Sequence, residues 1–166
     1  MIDRPPQVLS DCETYEYEFR RIWDPSRPPA LWVMLNPSSI TPMPGELPTP
    51  ADGPTVRRCE HFSQLLGCGG LVTGNVFAFR TKKTRDLVTC ADPVGPDNDA
   101  ILLHLIDEAA VVIAAWGGEF PTRYQDRVDE VRDMLHAKGA RCLGKTQAGE
   151  PRHPLYVRKD TELVPL

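Results

Sequence analysis

The chain has 166 residues, 41 per cent of them apolar and 25 per cent charged, and a net charge of −4. That length suits one domain with one sizeable core, so residues 1–166 are read as a single domain. The composition is that of a soluble globular protein. No apolar run reaches membrane-spanning length, and the weak negative charge gives no global pull toward nucleic acid.

The segment MIDRPPQVLSDCETYEYE lacks the basic and then apolar regions of a signal peptide, and the expected location is the cytoplasm. Five cysteines (Cys12, Cys59, Cys68, Cys90 and Cys142) are scattered without a C-x-x-C pair. They read as reduced thiols rather than as a zinc site or a disulfide framework. YEYEFRRIW (15–23) alternates large apolar and charged groups, the period of a half-solvated strand. The loop DPSRPP leads into ALWVML, apolar on both faces as in a covered sheet. The short connection predicts an N-terminal antiparallel hairpin.

Residues 40–54 carry five prolines and two glycines, which excludes a long regular helix and marks a candidate functional loop. TVRRCEHFSQLL (55–66) places Val56, Cys59, Phe62, Leu65 and Leu66 on one helical face, and Gly67, Gly69 and Gly70 end it. LVTGNVFAF (71–79) reads as a buried strand interrupted at Gly74-Asn75, followed by the basic loop RTKKTRDL. Asp97 or Asn98 is placed to cap the helix DAILLHLIDEA. VVIAAW is an apolar strand ending at Gly117-Gly118. Residues 121–138 form a charged helix with Val128, Val131, Met134 and Leu135 inward, and ARCLG is a short last strand. Strands alternating with helices predict an α/β fold: three layers, with a mainly parallel central sheet flanked by helices.

In such sheets ligands sit beyond the carboxyl ends of the strands. Four polar groups are candidates there: Asn36 after WVML, Arg80-Thr81-Lys82-Lys83, Gly117-Gly118, and His153. Asn36-Pro37 fits a turn with Ser38 or Ser39 as a cap, or an amide that holds a water or a substrate carbonyl. Asn75 fits a structural amide satisfied by backbone, or one that reads the donor–acceptor edge of a base. His153, between Pro151 and Pro154, fits a packed residue or a neutral donor to a developing oxyanion. Arg57, Arg58, Arg80, Lys82, Lys83 and Arg85 fit a solvated face or phosphate contacts. No G-x-G-x-x-G, P-loop or G-x-S-x-G pattern occurs, and no cofactor or metal is expected. An alternative, a metal-dependent hydrolase of small metabolites, would rest on Asp52, Asp97 and Asp99.

MLNPSS, DGPTVRRC, NVFAFRTKKTRDL, PVGPDND, AAWG and LGKTQAGEPRHPLY, in that order, resemble the bacterial and phage family called domain of unknown function 1643. More distantly, LNPS, TGNVFAFRTKKTRDL, VVIAAWGGE and HPLY are similar in order and spacing to motifs of the uracil-DNA glycosylase superfamily. That resemblance implies the same three-layer fold and a nucleobase-recognising protein, an N-glycosidic hydrolase acting on a base in DNA or on a modified nucleotide. It also leaves the alternative of a recognition module that has lost turnover. It implies that Asn36, beside Pro37 and Ser38, positions the attacking water. Asn75 would bond the base edge, and His153 would stabilise charge on the departing base. Arg80, Lys82 and Lys83 would border a nucleic-acid or nucleotide partner. Ser38 stands where the superfamily has glycine, and Leu155 where it has serine. No aromatic residue in these motifs takes the stacking position: Phe62 is assigned to a helix core, and Phe77 and Phe79 to a strand.

Overall fold

A computed structural model describes residues 7–37 and 53–166. The elements in chain order are β1 (Gln7–Leu9), β2 (Glu16–Ile22), β3 (Ala30–Met34), α1 (Pro54–Leu65), β4 (Gly70–Asn75), α2 (Asn98–Glu108), β5 (Val111–Ala114), α3 (Gln125–His136), β6 (Arg141–Cys142) and β7 (Val164–Pro165). The seven strands form one sheet in the order β1-β2-β4-β3-β5-β6-β7. Its centre, β4-β3-β5-β6, is parallel, whereas β1-β2, β2-β4 and β6-β7 pair antiparallel. The sheet is therefore mixed rather than mainly parallel.

The predicted hairpin does not form. β2 and β3 run in opposite directions, but β4 lies between them, with Phe19 opposite Thr73 on one side of β4 and Trp32 opposite Thr73 on the other. The loop that connects β2 to β3 folds over the start of β4 instead. Trp23 and Asp24 donate their backbone N–H groups to the Gly69 carbonyl, and Gly69 donates to Pro28. A side chain at Gly69 would collide with the carbonyls of Asp24 and Arg27, so the crossing requires glycine there.

Helices cover both faces. On one, Val56, Cys59 and Phe62 of α1 pack on Ala30, Trp32, Leu71 and Ile113. On the other, Leu102, Leu105 and Ile106 of α2 and Val128, Val131 and Leu135 of α3 pack on Leu31, Val33, Val72 and Val112. The apolar periodicity predicts these inward faces well, with two departures: Leu65 is 66% exposed and Leu66 is 44% exposed. Leu65 is the last residue of α1 and Leu66 is its C-cap. Among the described residues no helix is long and apolar enough to cross a membrane, and all five cysteines are free thiols.

Two-sided cover also changes β2. Its carboxylates do not alternate into solvent: Glu16 and Glu18 are both buried. Glu18 pairs with Arg20, which reaches Glu108 at the end of α2. Glu16 goes the other way. The β1–β2 register advances one residue on β1 (Val8 to Leu9) but two on β2 (Glu18 to Glu16), a β-bulge at Tyr17. Tyr17 stacks with Tyr15 and lies against Gly95, ahead of α2, whereas Phe19 packs on the α1 face. The bulge thus breaks the two-residue alternation and puts Glu16 on the same face as Phe19.

Candidate functional site

The carboxyl ends of β3, β4 and β5 open into a cavity of about 690 Å³, within the size range of small-molecule sites. Asn36, Asn75 and His153 all line it. So do Pro37, Glu16, Thr73, Trp116, Arg152, Tyr156 and the first residues of α1. Ser38, Asp52 and most of the proline-rich loop lie outside the described residues.

Asn75 is the last residue of β4 rather than the middle of a strand, and it is 3% exposed. Its backbone carbonyl is held by Asn98, whose Nδ2 donates to Asn75 at 3.0 Å and to Val76 at 3.3 Å. Asn98 is therefore a buried tie between α2 and β4 and not a helix cap. Asp97 occupies the cap position without a side-chain capping bond. Among the described residues no partner takes the Asn75 side-chain amide, which leaves its donors and its acceptor for the cavity.

Asn36 combines both readings of its sequence context. Its Nδ2 donates to the Thr81 carbonyl at 2.9 Å and to the Pro37 carbonyl at 3.2 Å, and Thr81 returns a backbone N–H to Pro37. This clamp joins the end of β3 to the basic loop. Because the nitrogen is committed to two carbonyls, Oδ1 is the atom Asn36 has to offer, and it can only accept.

His153 begins a 3₁₀ turn, Pro154–Tyr156, and its Nδ1 accepts from the Leu155 backbone N–H at 3.3 Å. The neutral ring then carries its proton on Nε2, the donor left for a ligand. Burial holds the His153 pKa below the ordinary 6.5. The folded chain consequently binds fewer protons than the unfolded chain, and stability falls as pH drops through and below 6.5. Protonation of Nδ1 also removes the acceptor for Leu155. His153→Gln is expected to flatten this part of the curve. Urea midpoints measured from pH 8 downward check it, and equal slopes in the two proteins would refute it.

The turn is braced from α1. Arg58 donates Nε to the Pro154 carbonyl at 3.1 Å and a second nitrogen to Val157, and its guanidinium lies 5.6 Å from the Phe62 ring centroid. Tyr156 stands at the cavity mouth, 77% exposed, its ring 5.6 Å from that of His153. Trp116 also lines the cavity, and its Nε1 donates to buried Glu150 at 2.8 Å.

Other predicted contacts lie elsewhere. Arg80 is buried, and its Nη1 donates to the Glu13 carbonyl at 2.7 Å. Lys82 and Lys83 are exposed, and none of the three lines the cavity. The basic loop meets the pocket through Thr84. Asp97 and Asp99 are exposed at the start of α2, away from the cavity, and Asp99 pairs with Arg127. Among the described residues no three His, Cys, Asp or Glu side chains gather as a metal site requires.

Sequence reading misses Glu16, Trp116 and Tyr156. Tyr156 was within reach, since it ends the same HPLY segment that contains His153.

A family model described as a protein of unknown function (DUF1643) matches residues 16–155. The chain belongs to the DUF1643 family. The matched span of this DUF1643 member takes in every cavity-lining residue except Tyr156. No curated protein and no solved structure matches the chain.

Proposed function

We propose that the cavity receives a nucleobase, and that the protein hydrolyses an N-glycosidic bond to that base in DNA or in a modified nucleotide. The observation that carries this reading is that Asn36, Asn75 and His153, far apart in the chain, line one cavity at the carboxyl edge of the sheet. The order of their motifs resembles that of the uracil-DNA glycosylase superfamily, and a helix-flanked α/β sheet is compatible with that likeness.

Each group has a role suited to its chemistry. The Asn75 amide reads the base edge. Tyr156, exposed at the mouth, supplies a ring face for stacking. As the C1′–N bond breaks, its electron pair leaves on the base, and His153 Nε2–H stabilises the negative charge there. A water held by Asn36 Oδ1 adds its oxygen to C1′, and its proton ends on the departed base. An amide does not titrate usefully, so Asn36 orients water without activating it, and turnover is slow. A base in a duplex must first be flipped out of its stack.

The test is base release from oligonucleotides carrying uracil, hypoxanthine and modified bases, and from free nucleosides, at stoichiometric protein. Asn36→Ala is expected to slow release by about 100-fold while binding persists. Because Asn36 also clamps Thr81, its melting temperature is measured alongside. No release from any substrate counts against hydrolysis.

One observation favours a second reading, a recognition module without turnover: the Asn36 nitrogen is spent on backbone carbonyls, so this amide already has a structural task. Saturable base binding with no release supports that reading.

A further inference from the structure

We propose that the ligand of this cavity is a free mononucleotide rather than a strand of DNA, and that Arg152 holds its phosphate. This rests on the nucleobase reading above and chooses between the two substrate classes it leaves open.

Arg152 lines the cavity immediately before His153. The residue is anchored at two points. Its backbone N–H donates to the Gly144 carbonyl, and its Nε donates to the Lys145 carbonyl at 3.0 Å. Its two outer nitrogens have no partner among the described residues, and no described carboxylate pairs with it. A guanidinium held by Nε with both outer nitrogens open is placed to take two phosphate oxygens in a fork. The amino end of α1 opens into the same cavity through Gly53, Pro54, Thr55 and Val56. It has no side-chain cap and no acidic residue in its first turn. Its first helical bond runs from Arg57 N–H to the Gly53 carbonyl, and among the described residues the N–H groups of Thr55 and Val56 have no acceptor. The positive end of the helix therefore adds to the field of Arg152.

The site is built for a ligand at its other end as well. Asn75 is 3% exposed, and its amide, without a partner among the described residues, faces this cavity. A base on Asn75 alone would leave much of the 690 Å³ unfilled, and a sugar with its phosphate extends the ligand to the charged wall.

The distribution of charge favours one phosphate over a run of them. Single-stranded nucleic acid is held along a track of cations, one after another. Among the described lining residues Arg152 is the only arginine or lysine, and Glu119, exposed on the same lining, repels further phosphates. Arg80 turns inward to Glu13, and Lys82 and Lys83 lie off the cavity.

Calorimetric titration of the full chain tests this with the deoxynucleosides of guanine, adenine, cytosine, uracil and thymine, with their 5′- and 3′-monophosphates, and with single-stranded pentanucleotides carrying the same bases. For the base that binds best, one of the two monophosphates is expected to bind about 10- to 100-fold more tightly than the nucleoside, the value of hydrogen bonds to a charged group. The pentanucleotide should bind no more tightly than that monophosphate. In Arg152→Gln the monophosphate-to-nucleoside ratio should collapse toward one. Arg152→Lys, which keeps the charge and loses the fork, should retain part of the preference, and it serves if the glutamine variant does not fold. Equal binding of nucleoside and monophosphates, an unchanged ratio in Arg152→Gln, or tighter binding of the pentanucleotide overturns the assignment while the nucleobase reading stands. Binding of none of these compounds overturns both.

Discussion

Replacing Glu150 with alanine is expected to lower the melting temperature by roughly 6–12 °C, the equivalent of about 3 kcal/mol for a chain of this length. Glu150 is the hub of a buried polar set. One oxygen accepts from Trp116 Nε1 at 2.8 Å, and Arg132 Nη2 approaches the two oxygens at 2.6 and 2.7 Å. Arg132 also lies over the Trp116 ring, 5.9 Å from its centroid. Truncation leaves the buried indole N–H without its acceptor and the partly buried guanidinium with Asp129 alone, and a buried donor stripped of its partner costs more than the bond itself was worth. Glu150→Gln, which keeps one acceptor, should lose about half as much. Thermal melts followed by circular dichroism decide the matter, and a melting temperature unchanged within a degree or two would show that the set contributes nothing. Trp116 is also a cavity wall, so ligand affinity should fall with stability.

Asn75→Ala separates the two quantities. Ligand binding should weaken by about 10- to 100-fold, the value of one or two hydrogen bonds in a desolvated site. The melting temperature should barely move, because Asn98 holds the Asn75 backbone carbonyl, which alanine keeps, and no described residue uses the side-chain amide. Affinity for whichever deoxynucleoside binds best, measured beside a thermal melt, checks both halves. A large loss of stability with unchanged affinity would make Asn75 a packing residue.

The parts of the fold that were legible in sequence are those fixed by local periodicity. The inward residues of α2 and α3, and the apolar runs of β3, β4 and β5, follow from spacing alone. The ends of those runs also pointed to the pocket rim, because Asn36 and Asn75 interrupt apolar stretches and strand ends are where such sheets bind. Pairing was not legible. β2 and β3 are joined by a short loop, yet β4 separates them, and that depends on Gly69 admitting the loop from a distance in sequence. Asn98 had the residue type and place of a cap, but its partners are the carbonyls of Asn75 and Val76 across the fold. Arg80 sits in a visibly basic loop, and only tertiary structure turns it inward to Glu13. Glu16 was hidden for a different reason: alternation along YEYEFRRIW assigns Glu16, Glu18 and Arg20 to one side of the strand, and the irregularity at Tyr17 moves Glu16 to the other.

That irregularity has a consequence for how this pocket changes over evolution. A carboxylate on β2 is moved from one side of the sheet to the other by gaining or losing a single residue, with no substitution at all. Relatives of this chain that differ by one codon in β2 will present different chemistry to the cavity while keeping the same letters, so gaps in that strand carry as much functional information as replacements elsewhere.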